Sequence, residues 1–184
     1  MIEFILGGAR SGKSRFAENR ALDSAMPVTC IVTAEANDAE MQRRIEHHRQ
    51  QRPAEWKVIE EPLYLAQALQ TNARPDGCII VDCMTLWLTN LLCQGKGFAQ
   101  AEADLPLQCE LLNQQQQALF TTLEKLPGKI ILISNEIGMG IVPLGASNRL
   151  FMDEQGRLNQ TIATLSDKVT LVAAGLPLIL KNSK

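Results

Sequence analysis

Ile2-Glu3-Phe4-Ile5-Leu6-Gly7-Gly8-Ala9-Arg10-Ser11-Gly12-Lys13-Ser14 opens the chain and decides its fold. Residues 2–6 are apolar apart from Glu3 and read as a strand, and residues 13–23 read as the helix that follows. Between them, Gly7-x-x-x-x-Gly12-Lys13-Ser14 has the spacing of a phosphate-binding loop in the right context. Each position has a chemical reason. Gly7, Gly8 and Gly12 permit the turn that aims backbone N–H groups at phosphate oxygens, with Ala9, Arg10 and Ser11 completing the cradle. The helix starting near Lys13 adds the positive end of its dipole. Lys13 supplies a mobile charge for the β- and γ-phosphates, and Ser14 offers a hydroxyl to Mg²⁺.

Beyond the loop, strand-like runs at residues 29–33, 56–59, 78–82, 129–134, 168–173 and 178–180 alternate with helical patterns at 38–49, 62–70, 85–93, 108–126 and 149–165. Glycine breaks the pattern from Gln94 to Gly97 and again across residues 138–147, which read as loops. The alternation predicts an α/β fold, a mostly parallel sheet flanked by helices. The last two strands suggest an antiparallel hairpin through Gly175 to Pro177. With no internal repeat and no long linker, residues 1–184 are expected to form a single nucleotide-binding catalytic domain.

Composition narrows the partners. The chain has 184 residues, 46% hydrophobic and 21% charged, with a net charge of −2. That balance favours neither nucleic acid nor an anionic membrane surface. No apolar run approaches the roughly 18 residues of a membrane span. The N-terminus enters directly into a strand without a basic leader region, so no secretory signal is expected. Cys30, Cys78, Cys83, Cys93 and Cys109 are scattered, lack metal-ligand spacing and sit mostly in apolar sequence. They read as small buried hydrophobes in a reducing, cytoplasmic setting.

Two acids end apolar strands and are candidates for the metal side of the nucleotide: Asp82 and Glu136. Asp82 is preferred because it directly ends the more apolar run. The chain's two histidines are adjacent, His47 and His48, at the end of the helix expected over residues 38–49. Adjacent helical side chains diverge by about 100°, which disfavours a shared metal ion. Met41, Ile45 and His48 fall on one face of that helix. The pair has two remaining readings: a cap for helix carbonyls, or a nucleophile. Neutral imidazole attacks phosphorus to give a phosphoramidate, splitting one hard transfer into two steps. Arg49 and Arg52 would offset the developing charge. Residue chemistry alone leaves both readings open.

The segments GGARSGKSRFAE, RIEHHRQQRPAEW, TNLL, NEIGMGIVP and GRLNQ, in that order from Ile2 to about Gly175, together resemble the bifunctional adenosylcobinamide kinase / adenosylcobinamide-phosphate guanylyltransferase family of cobalamin biosynthesis. The resemblance implies two reactions. A nucleoside triphosphate, ATP or GTP, phosphorylates the aminopropanol hydroxyl of adenosylcobinamide. GTP then gives GMP to a histidine with loss of pyrophosphate, and the phosphorylated corrinoid takes the GMP to become adenosylcobinamide-GDP. It implies His48 as the guanylylated residue. It also implies nucleotide contacts at the phosphate loop, Val32, Thr33 and Ala34, Arg49, Gln50, Gln51 and Arg52, Glu60 and Asp82. Members of that family carry glutamate where this chain has Asp82, so the carboxylate is kept with a shorter reach. A RecA-like branch of the phosphate-loop folds and symmetric oligomers, trimers among them, are further implications. The rival readings are a simple phosphate-loop kinase without a covalent step and a non-catalytic nucleotide sensor.

Overall fold

The computed structural model describes residues 1–35 and 52–183. The helix expected over residues 38–49, and with it His47 and His48, lies outside the described residues. So do Arg49, Gln50 and Gln51.

Seven strands form one sheet. They are β1 (Ile2–Gly7), β2 (Val28–Val32), β3 (Lys57–Glu60), β4 (Cys78–Asp82), β5 (Lys129–Asn135), β6 (Lys168–Ala173) and β7 (Leu176–Asn182). Their order is β3-β2-β4-β5-β1-β6-β7. Every pairing is parallel except β6 with β7. The described helices are α1 (Lys13–Leu22), α2 (Leu65–Asn72), α3 (Met84–Gln94), α4 (Gly97–Glu102), α5 (Glu110–Leu123) and α6 (Ala146–Leu165). The α/β alternation expected from the sequence is therefore present, with the antiparallel hairpin at its end.

The central strands are mostly apolar because both faces are covered, with Glu3 of β1 and Lys129 and Ser134 of β5 as buried polar exceptions. Alternate residues serve different layers: Ile130 and Leu132 of β5 join Leu65, Trp87 and Leu112 in one core, and Ile131 and Ile133 join Ala17 and Trp56 in the other. Trp87 is fully buried and its indole N–H donates to the Leu63 carbonyl at 2.9 Å. Four cysteines, Cys30, Cys78, Cys83 and Cys109, are buried as expected, and Cys93 is exposed. Burial pushes the Cys30 thiol up to about 12 and the Cys83 thiol up to about 11, far from thiolate chemistry.

Two local readings differ from the sequence expectation. The stretch read as a loop after Gln94 contains α4. Its first residue, Gly97, is buried against Leu92, whose Cδ2 would lie 2.7 Å from an added Cβ. That glycine is there for close packing. The final strand is longer than residues 178–180, because the turn closes at Ala174 and Gly175 and leaves Leu176 and Pro177 in β7. Proline is tolerated there because β7 is an edge strand.

Candidate active site

The parallel register lines up the strand ends. Gly7 pairs with Asn135, Val32 pairs with both Asp82 and Glu60, and Asp82 pairs with Ile133. The described candidates thus converge on the carboxyl edge of the sheet, where open α/β sheets bind ligands.

The phosphate loop, residues 8–12, leaves β1 and enters α1 at Lys13. Gly7 is required by crowding: an added Cβ would lie 2.4 Å from Ser11 Oγ and 2.5 Å from the Val172 carbonyl oxygen. Gly12 is required by conformation, at φ 93°, and by Gly175 Cα, which would lie 3.1 Å from its Cβ. Gly8 meets nothing within 4 Å, so the protein alone sets no such demand there. Gly8, Ala9, Arg10 and Gly12 are exposed and Ser14 is half-buried. Arg10 adopts a positive φ of 55°. The loop is braced from behind, the Gly175 N–H donating to the Ser11 carbonyl at 2.8 Å.

Lys13 is buried, and its Nζ donates to the Gly8 carbonyl at 3.1 Å. Desolvation lowers its pKa, with the potentials of Cys83 and Asp82 working the other way. The Ser11 hydroxyl is buried without a hydrogen-bond partner. A loop holding a desolvated cation and an unused hydroxyl is built for an anion.

Across from the loop, Asp82 accepts from Arg52 Nη2 at 2.7 Å, and the Arg52 side chain is 5% exposed. The structure therefore joins two residues 30 apart that the sequence proposed separately. Glu18 of α1 is in the same field: burial raises its pKa, Arg52 opposes and Asp82 reinforces the rise. Thr33 is fully buried; its hydroxyl donates to the Cys83 carbonyl at 2.6 Å and accepts from the Cys83 N–H at 3.0 Å. Its carbonyl accepts from Asn90 at 2.7 Å, which gives the TNLL segment a structural task. Val32 is buried, Ala34 half-buried and Glu60 exposed. Glu136 stands past β5, its N–H donating to the Gly7 carbonyl at 3.1 Å and its Oε1 accepting from the Gly138 N–H at 2.7 Å. No cluster of three or more metal-ligating side chains is present among the described residues. Ser14 and Asp82 offer hard oxygens of the kind that Mg²⁺ takes.

This geometry suits the phosphates of a nucleotide. Residues 3–180 match the family described as cobinamide kinase / cobinamide phosphate guanyltransferase. The chain belongs to that family. It is thus an enzyme of the bifunctional kinase and guanylyltransferase kind. It is 50% identical over 182 residues to the bifunctional adenosylcobalamin biosynthesis protein CobP of Pseudomonas aeruginosa, covering 99% of this chain and 98% of that one. With the bifunctional adenosylcobalamin biosynthesis protein CobU of Escherichia coli the identity is 38%, over 98% of this chain and all of the other. Among solved structures, the ATPase EscN of the enteropathogenic E. coli type III secretion system superposes with a TM-score of 0.58 at 15% identity. That match covers 99% of this chain and 47% of EscN, and it speaks to the phosphate-loop fold alone.

The sequence reading had no role for Thr85, Ser134, Asn135 and Asn159, which meet beneath the end of β5. Their only trace in the sequence is that Asn135 and Asn159 lie in the NEIGMG and GRLNQ segments.

Proposed function

We propose that this cobinamide kinase / guanyltransferase phosphorylates the aminopropanol hydroxyl of adenosylcobinamide and then transfers GMP through a covalent intermediate on His48. In the first reaction the hydroxyl oxygen bonds to the γ-phosphorus, the bond to the β-bridging oxygen breaks, and the hydroxyl proton leaves. In the second, an imidazole nitrogen of His48 bonds to the α-phosphorus of GTP and pyrophosphate departs. The phosphate of the corrinoid then displaces the imidazole, giving adenosylcobinamide-GDP. Lys13 and the loop N–H groups neutralise phosphate charge in both reactions. Ser14 and Asp82 would hold Mg²⁺, which supplies charge neutralisation to the bound phosphates.

The observation that carries this reading is the Arg52–Asp82 pair at 2.7 Å beside the loop that holds Lys13. His48 precedes Arg52 by four residues, a tether of at most about 14 Å. On this reading His48 acts within that reach of Arg52. Arg49, Gln50, Gln51 and Arg52 are proposed to contact the nucleotide, with Val32, Thr33, Ala34 and Glu60 along the same strand ends. A homo-oligomer, a trimer by family resemblance, and a cytoplasmic setting complete the proposal.

The test follows both products with adenosylcobinamide, ATP and GTP. His48→Ala is expected to stop formation of adenosylcobinamide-GDP while keeping phosphorylation within about tenfold, because phosphoryl transfer to a hydroxyl needs no enzyme nucleophile. Loss of both reactions with nucleotide binding intact, or loss of neither, contradicts the role of His48.

A further inference from the structure

Beneath the end of β5 lies a buried polar cluster. The Ser134 hydroxyl donates to Asn159 Oδ1 at 2.8 Å and accepts from Gln155 Nε2 at 3.0 Å. Gln155 Nε2 also reaches Asn159 Oδ1 at 2.9 Å. Two further bonds end on the backbone of a single residue. The Asn135 N–H donates to the Thr85 hydroxyl of α3 at 2.8 Å, and the Asn135 carbonyl accepts from Asn159 Nδ2 of α6 at 3.2 Å. Only one amide orientation of Asn159 serves a carbonyl with its nitrogen and two donors with its oxygen. Thr85, Ser134, Gln155 and Asn159 are all buried, which makes the cluster costly, and Gln155 Oε1 has no hydrogen-bond partner. An apolar core would hold the sheet at least as well. What the polar cluster adds is one orientation for one peptide.

That peptide leads into Glu136, whose N–H is held by the Gly7 carbonyl, the last residue before the phosphate loop. The two acids of the site differ in their partners. Asp82 holds the Arg52 guanidinium, whereas Glu136 accepts from a neutral N–H and makes no ion pair among the described residues. A carboxylate not locked to a guanidinium has an oxygen to offer a substrate hydroxyl.

We propose that Asn159 is a positioning residue: by gripping the Asn135 carbonyl it holds Glu136 beside the phosphate loop, where the Glu136 carboxylate accepts the proton of the attacking substrate hydroxyl. As the hydroxyl oxygen bonds to the γ-phosphorus, the bond from that phosphorus to the β-bridging oxygen breaks with its electron pair, and the proton passes to Glu136. The inference rests on the kinase half of the proposed function.

Four variants of the full chain test it: Asn159→Ala, Glu136→Gln, both together, and Ser134→Ala, which removes a cluster hydroxyl but leaves both grips on Asn135. Amide hydrogen exchange, read without any substrate, is expected to quicken at least about tenfold at Asn135 and Glu136 in Asn159→Ala, with the amides of Ile131 to Ile133 unchanged. In phosphorylation of adenosylcobinamide, Glu136→Gln is expected to lower kcat about a hundredfold. Asn159→Ala is expected to lower kcat about tenfold with the nucleotide KM within about twofold, and the double variant to be no worse than Glu136→Gln alone. Ser134→Ala is expected to melt earlier but keep kcat within about twofold. Unchanged exchange at Asn135 and Glu136 overturns the positioning role whatever reaction the site performs. Losses that multiply in the double variant, or kcat that falls in step with melting temperature in Ser134→Ala, overturn it as well.

Discussion

Lys13 shows how a side chain proposed to bind phosphate sits against the stability of its own fold. Its ammonium is buried at the mouth of the loop with one carbonyl as a bonded partner, and desolvation lowers its pKa. A lysine with a lowered folded pKa binds its proton less readily folded than unfolded, so its penalty on stability shrinks as pH rises towards lysine's ordinary value of 10.5. Lys13→Met keeps the apolar stem and removes the charge. It is expected to melt no lower than wild type without nucleotide, with the advantage narrowing as pH climbs from 7 towards that value in thermal denaturation. Turnover in both reactions is expected to fall by about two to three powers of ten. At this scale the sequence was informative about Lys13, Gly12 and Asp82, because a motif and a strand end identify them. It was silent about Arg52 as the partner of Asp82, since that ion pair joins residues 30 apart.

The elements were legible wherever an apolar run was long and its neighbours were turn formers. β1, β4 and β5 stand within a residue of the expected bounds, because central parallel strands are apolar on both faces. α4 was illegible because Gly95 and Gly97 read as breakers, while in the structure they are packed against Cys109 and Leu92. The contact between the phosphate loop and the β6–β7 turn was equally hidden, and it carries a graded prediction. Gly175 has φ 79° but open space around a would-be Cβ, so Gly175→Ala costs only conformational strain, about 1 kcal/mol. The melting temperature should drop by roughly 2–4 °C, with nucleotide affinity within about threefold. Gly12→Ala adds a Cβ at 3.1 Å from Gly175 Cα on top of a φ of 93°, and it distorts the cradle itself. Isothermal titration with a non-hydrolysable GTP analogue is expected to show at least about a tenfold loss of affinity for that variant. Equal affinities for the two variants contradict the assignment of residues 8–12 as the cradle.

Across the whole molecule, one fully buried carboxylate ties the far end of the sheet together. Glu3 of β1 meets Arg20 of α1 at 3.0 Å, Lys168 of β6 at 3.6 Å and Lys129 of β5 at 3.8 Å. Removing Glu3 leaves three cations near one another, with Asp23 at 3.8 Å from Arg20 as the remaining anion among the described ion pairs. Glu3→Gln is expected to destabilise by about 3 kcal/mol, the low end for a broken buried pair because Arg20 and Lys168 are partly exposed. That is a drop of roughly 6–12 °C in melting temperature, with the nucleotide KM unchanged because the cluster lies at the opposite edge from the phosphate loop. At the functional edge, Ile141 and Leu144 are each 97% exposed, and Leu176, Leu178, Ile179 and Leu180 line the exposed edge strand. After incubation with GTP and Mg²⁺, intact-mass spectrometry is expected to show one added GMP per chain, acid-labile and base-stable, and peptide mapping to place it on His48. The adduct should be absent from His48→Ala, retained by His47→Ala, and should fade as pH drops below the imidazole pKa, about 6.5 when unperturbed. An adduct on His47 or on a lysine, or no adduct while adenosylcobinamide is still phosphorylated, contradicts the account and leaves a simple phosphate-loop kinase in its place.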